Sequence, residues 1–298
     1  MNSESSDFPA SANRKDVAGG TLYIVATPIG NLDDLSARAT KVLAGVDVVA
    51  AEDTRHSGRL LSHLGLQKRL IALHDHNEKD RAAGLLAELA AGRDVALISD
   101  AGTPLISDPG YVLVREARAS GFSVSPIPGA CALVAALSAA GLPTDRFLFV
   151  GFLPAKRSGR RSGLESLANE VATLVFYESP HRILESLRDI GEVLGAGREV
   201  VLGREITKTF ETFYSGSVGE VLAELEQDAH GTRGEFVVMV RGAEARPGNS
   251  EATTMDVDRV LTVLLAELPV KKVAKMAAEL TGLSKNELYQ RALALKDG

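Results

Sequence analysis

An α/β protein with a mostly parallel sheet is what this sequence predicts, on three observations. Short apolar runs alternate with helix-spaced segments from residue 21 to residue 140, at the spacing of βαβ units. Those runs end abruptly in loops of Gly, Pro and Asp, above all at Ser99-Asp100-Ala101-Gly102-Thr103-Pro104. A second alternating block follows at 146–240, and it contains two strands too close together for a helical crossover.

In the first block strands are expected at 21–26, 46–51, 69–73, 95–99 and 122–127. Helices are expected at 34–44, 57–64, 78–91, 109–119 and 130–140. The run Val95-Ala96-Leu97-Ile98 has no polar member, as in a parallel strand covered on both faces. The loop after it therefore lies at the carboxyl end of a strand, where open α/β sheets bind ligands. Gly141-Leu142-Pro143 breaks the pattern.

The second block has strands at 146–151, 173–177, 199–203, 209–214 and 235–240, with helices at 163–170, 181–194 and 218–228. The pair 199–203 and 209–214 predicts antiparallel neighbours and hence a mixed sheet. Three short helices close the chain at 256–267, 270–280 and 284–295. Gly282 suits a helix C-cap, and Ser284 with Glu287 suits the next N-terminus, which is a helix-turn-helix pattern. The expected organisation is a disordered polar tail (1–19), an α/β domain (20–142), a second α/β domain (143–242), a linker (243–253) and a helical unit (254–298).

A net charge of −6 excludes a uniformly basic nucleic-acid binder, so any RNA contact must use local patches. Cys131 is the single cysteine, which rules out an intrachain disulfide and fits a reducing cytoplasm. Cys131 itself reads as a small buried filler. No apolar run reaches the ~18 residues that a membrane span needs.

Several polar clusters end strands. Thr27-Pro28-Ile29-Gly30-Asn31-Leu32 is a glycine turn of the kind a nucleotide-like ligand needs, without the dinucleotide fingerprint or a Walker sequence. Glu52-Asp53-Thr54-Arg55 ends the second strand, with Asp53 or Thr54 able to cap the next helix and Arg55 available to phosphate. Tyr177-Glu178-Ser179-Pro180-His181-Arg182 and Arg204-Glu205-Ile206-Thr207-Lys208 do the same in the second block, and Arg233-Gly234-Glu235 precedes its last strand. Charged clusters in both blocks suggest a cleft between them. His74 and His76 would alternate sides, and nothing completes a metal site with them. Lys156, Arg157, Arg160 and Arg161 lie in a Gly/Ser stretch that reads as a solvated loop or a phosphate contact. Lys271, Lys272, Lys275 and Lys285 give the last helices a second basic surface; those helices serve as an RNA-docking unit or as a helical cap or dimerisation piece.

Six motifs in order resemble one family: 21–32, 51–55, 99–110, 128–130, 177–182 and 204–208. It is the ribosomal small-subunit RNA methyltransferase I family, of the tetrapyrrole-methylase fold. The resemblance runs from about Gly20 to Gly242, and the C-terminal helices look like that family's helix-turn-helix appendage. It implies two α/β domains with a cleft between them, a homodimer, S-adenosylmethionine as methyl donor, and a cytidine 2′-hydroxyl in the decoding region of 16S rRNA as acceptor.

By position the resemblance implies cofactor contacts from Ile29, Gly30, Gly102, Thr103, Pro104, Ile106, Ser107, Pro128, Gly129 and Ala130. It implies further contacts from Tyr177, Gly203 and Glu235. Thr103 stands where the wider superfamily has Asp, and Asp100 is the candidate to supply that acidic contact. For a base or cation beside the attacking oxygen the candidates are Glu52, Asp53, Arg55, Glu178, Arg204 and Lys208, unranked. Rival readings are methylation of a small substrate and a non-catalytic ribosome-binding module.

Overall fold

The computed structural model describes residues 19–74, 77–244 and 257–297. The tail expected to be disordered, His76 and most of the expected linker lie outside them, apart from Gly19 and residues 243–244.

The first sheet contains β1 (Thr21–Val25), β2 (Val48–Ala51), β3 (Arg69–Ala72), β4 (Val95–Ile98) and β5 (Ser123–Ile127). All pairings are parallel, in the order β3-β2-β4-β1-β5. Its helices are α1 (Ala37–Gly45), α2 (Thr54–His63), α3 (Glu78–Ala90) and α4 (Tyr111–Ala119). Alternate residues of β2 and β4 feed two cores, Val48, Ala50 and Leu97 on one face and Val49, Ala51 and Ile98 on the other. Burial on both faces is why these strands are continuously apolar. The chain leaves β1 toward β2 but leaves β4 toward β5. Neighbouring strands whose connections diverge open a crevice beyond their carboxyl ends.

The second sheet contains β6 (Phe147–Phe152), β7 (Thr173–Glu178), β8 (Glu199–Arg204), β9 (Thr212–Ser217) and β10 (Phe236–Val240), in the order β6-β7-β10-β8-β9. Only β6 and β7 run parallel. The expected antiparallel pair is β8 with β9. β9 starts three residues after the predicted position of 209, because Lys208 N bonds Glu205 O at 3.0 Å and Glu211 N bonds Lys208 O at 3.1 Å, spending those residues on a turn. The helices here are α5 (Ala132–Ala140), α6 (Arg157–Ser166), α7 (Ile183–Leu194) and α8 (Val218–Gln227). α5 packs its Leu133, Ala136 and Leu137 against Val175, Val201 and Met239 of the second sheet. The segment that the sequence assigns to the first domain thus joins the two sheets.

The stretch 156–161 is not the expected loop. Arg157 opens α6, and the Arg160 side chain is 1% exposed, its Nε 2.7 Å from the equally buried Asp189 Oδ2. Arg157 and Arg161 also pair with Asp189 and Glu192. These pairs pull into a helix a Gly/Ser-containing sequence with low intrinsic helicity.

Contacts divide the chain into one unit ending at Gly242, which holds both sheets, and a second beginning at Ala243. The second comprises α9 (Val257–Leu265), α10 (Val270–Thr281) and α11 (Lys285–Asp297) around Leu261, Val273, Ala277 and Leu288. Gly282 caps α10 in the left-handed conformation, φ +71°, as its position in the sequence requires.

Candidate active site

Two loops meet at the crevice of the first sheet. Thr27 N donates to Gly102 O at 2.9 Å, and Gly102 N donates to Thr27 O at 3.1 Å. Thr27 Oγ1 reaches Ser99 O and Ser99 Oγ reaches Gly102 O, both at 3.1 Å. Gly102 has φ +86°, and an added Cβ would stand 3.1 Å from Ile29 Cγ2. Leu105 and Ser107 are also left-handed, at φ +73° and +68°. Such conformations cost about 1–3 kcal/mol each and persist only where the surroundings impose them, commonly at ligand sites. Thr103 Oγ1 donates to Ala130 O at 3.0 Å, fastening the loop to the segment before α5.

The second sheet contributes side chains. Tyr177 Oη accepts a hydrogen bond from Leu133 N at 3.1 Å, and burial pushes its pKa up to about 12, so it remains a neutral phenol. Phe149 and Phe152 meet its ring edge-on, at centroid distances of 4.9 and 5.9 Å. Lys208 Nζ lies 2.8 Å from Glu205 Oε1 and 3.0 Å from Glu235 Oε2. Burial alone would lower the Lys208 pKa, but hydrogen bonds to both carboxylates outweigh it and the net shift is upward. Its stem covers Gly30, where a Cβ would come within 2.4 Å of Lys208 Cγ. Glu205 and Thr207, at φ +51° and +69°, form a second left-handed turn beside it.

Between these elements lies a cleft of about 390 Å³, within the range of small-molecule sites. Ile29, Gly102, Thr103, Ile106, Ser107, Tyr177 and Glu235 line it, as does Glu178 from the catalytic candidates. Gly30, Asp100, Pro104, Pro128, Gly129, Ala130 and Gly203 stand outside its lining and support it. Gly129 approaches Ala26 too closely for a side chain, and Gly203 leaves the room that Ile206 fills. Asp100 turns away, its Oδ1 accepting from Asp53 N at 3.1 Å, and the aspartate that lines the cleft from this loop is Asp108.

Sequence reasoning missed Phe152, Cys131, Ile206 and Val237, all of which line the cleft. Their apolar character gave no signal separable from core; Cys131, expected as buried filler, is partly exposed there.

Other candidates are committed elsewhere. Arg204 is buried, donating to His230 O at 2.8 Å and Tyr214 Oη at 3.3 Å, away from the cleft lining. Glu178 is also buried, accepting from Ser186 Oγ (2.6 Å), Ser179 N (2.8 Å) and Arg182 Nη2 (3.3 Å). Glu52, Asp53 and Arg55 end β2 outside the lining. Asp53 caps α2, and its hydrogen bond from the Arg55 side chain brings its pKa down to about 2.

Two α/β layers with crossed loops over one cleft define the class. Residues 21–222 match the tetrapyrrole (corrin/porphyrin) methylase family, and 251–296 match the RsmI C-terminal HTH domain. The chain is 57% identical over 277 residues to the ribosomal RNA small subunit methyltransferase I of Pseudomonas aeruginosa, covering 93% of this chain and 98% of that one. It is 55% identical to the protein of that name from Escherichia coli O157:H7, covering 93% and 96%. Among solved structures, uroporphyrin-III-C-methyltransferase from Thermus thermophilus shares the fold at TM-score 0.53 and 23% identity, over 74% of this chain and 94% of that one. The chain is a member of the tetrapyrrole methylase family. Within it, the chain belongs to the ribosomal RNA small subunit methyltransferase I family.

Proposed function

We propose that this protein transfers a methyl group from S-adenosylmethionine to the 2′-oxygen of a cytidine ribose in the decoding region of 16S rRNA. The observation that carries the reading is the hydrogen-bonded crossing of the 27–32 and 99–110 loops over the cleft, in a chain of this family. The residues present suit the donor. Gly102 and Ile29 leave a cradle that a Cβ would fill, and the floor is apolar with Asp108, Ser179 and Glu235 at hand. When bound, the donor supplies an activated methyl group on sulfur.

The protein's part is to align oxygen, methyl and sulfur and to exclude water. Tyr177 stays protonated and Lys208 stays charged, so neither is a base. Lys208 with Glu235 is the charged pair beside the cleft that we assign to the ribose hydroxyl. We read 20–142 as the cofactor half and 143–242 as the substrate half.

RNA affinity comes from Lys156 and from Lys271, Lys272, Lys275 and Lys285, all exposed. The arginines of α6 do not serve, since Arg160 is buried and Arg157 and Arg161 are paired. A homodimer is part of this reading, supported by the exposed Phe147, Leu148 and Val150 on edge strand β6. So is a cytoplasmic site, where the substrate is. No helix among the described residues is long and apolar enough to cross a membrane.

The test is transfer of tritiated methyl groups to naked 16S rRNA, free 30S subunits and 70S ribosomes, with the labelled nucleotide mapped. Label on one cytidine ribose of 16S rRNA is the expected result. Label on no RNA, with donor binding intact, overturns it.

A further inference from the structure

Phe152 lines the cleft and is nevertheless 56% exposed. A ring half in water gains nothing for the fold that a smaller residue would not. Yet its position is fixed from several sides. Behind it stands Tyr177, edge-on at 66° and itself held by the Leu133 amide. Before it, Gly151 adopts φ +76° where the β6–β7 register shifts, a bulge of the kind that re-aims a strand's last side chain. After it, the Leu153 carbonyl accepts from Arg182 Nη2 at 2.5 Å, and Arg182 is anchored by Glu178. The Tyr177–Arg182 motif thus has a task that the methyl-transfer chemistry does not absorb: it fixes the end of β6.

Four residues on is Lys156, exposed and without an ion pair among the described residues, while the neighbouring arginines are tied to Asp189, Glu185 and Glu192. A rigid aromatic face followed four residues later by an exposed cation offers the combination that binds single-stranded nucleic acid: base on ring, phosphate on ammonium. A nucleotide drawn out of its stack into a cleft loses stacking energy, and an aromatic platform offsets part of that loss. A partner arriving from solvent covers the exposed face of Phe152. A small cofactor seated on the Gly102–Ile29–Ile206 floor would leave much of it wet.

Resting on the assignment of RNA as substrate, we propose that Phe152 is the platform on which the target nucleobase stacks, with Lys156 taking the adjoining phosphate. The experiment compares Phe152→Ala, Phe152→Leu and Phe152→Trp with the wild-type enzyme. It measures S-adenosylmethionine affinity by calorimetry, methyl-transfer KM for 30S subunits, and native mass. Phe152→Ala should raise the 30S KM by roughly 5- to 150-fold, the span of base–aromatic stacking, with donor affinity unchanged. Phe152→Trp should restore it, and the equally apolar Phe152→Leu should not. Equal activity of the Leu and Trp variants overturns stacking. A loss of donor affinity makes Phe152 a cofactor wall, a shift to half the native mass makes it a subunit contact, and an unchanged KM in Phe152→Ala removes it from recognition; each overturns the proposal. Wild-type enzyme that labels no 30S rRNA defeats the substrate assignment instead, and that control is read first.

Discussion

The two sheets build their shares of the cleft by opposite means. The first uses backbone: Thr27 and Gly102 exchange amide hydrogen bonds, and glycine or left-handed residues set the turns. The second uses side chains: Lys208 spans two carboxylates, Glu178 gathers three donors, and Asp189 holds the arginines of α6. A backbone surface admits one shape and suits a constant ligand. A surface of side chains displays charge and suits a polyanion.

The largest effect should come from breaking the second kind. Asp189→Ala removes the buried partner of Arg160 and leaves it only the exposed Glu185, which costs about 3 kcal/mol of stability, the low end for a broken buried pair. Denaturant melts measure it, and a loss under 1 kcal/mol would mean that α6 is held by packing alone. Next comes the backbone half. Gly102→Val places a branched side chain at φ +86° against Ile29 and should weaken S-adenosylmethionine binding by roughly 5- to 150-fold. A folded variant with unchanged affinity takes this loop out of the site.

Lys208→Ala should lower turnover about tenfold, below the roughly hundredfold of a donor aimed only at a reacting oxygen because Lys208 is shared with Glu205 and Glu235, while donor affinity stays within about twofold. Equal losses in both would show that the charged half also serves the cofactor. The smallest effect is a slope. The Tyr177 pKa is raised to about 12 in the folded protein, so the folded state keeps its proton while the unfolded chain releases it from pH ~10 upward. Its stabilisation is whole below pH ~10 and lost as pH rises toward 12. Tyr177→Phe should therefore melt with a shallower alkaline decline, followed by thermal unfolding between those pH values.

Strands and the β8–β9 direction were legible because burial on two faces writes a continuous apolar run, as at Val95–Ile98, and because the short stretch 205–211 between β8 and β9 excludes a crossover, which needs about a dozen residues. The 99–110 loop was legible for the same reason: glycine and proline have few other uses there. The start of α6 was not. Its composition argues for a loop, and the helix depends on Asp189, 29 residues beyond Arg160. Arg204 was misjudged on similar grounds, since a charged residue at a strand end looks the same whether it faces a ligand or a buried carbonyl. Phe152 and Ile206 escaped notice because an apolar cleft wall and an apolar core share one alphabet.

The place of β10 in its sheet has a consequence for synthesis. β10 is the last strand made, yet it lies between β7 and β8, which bond to each other nowhere else. Until residue 240 has left the ribosomal tunnel, β6–β7 and β8–β9 are two separate ribbons with open edges. Glu235, Phe236 and Val237 arrive with that strand, so the cleft is completed by almost the final act of translation of the first unit. The first unit therefore has no complete cleft until its last strand is out, and its unpaired ribbons are where a chaperone would be needed most.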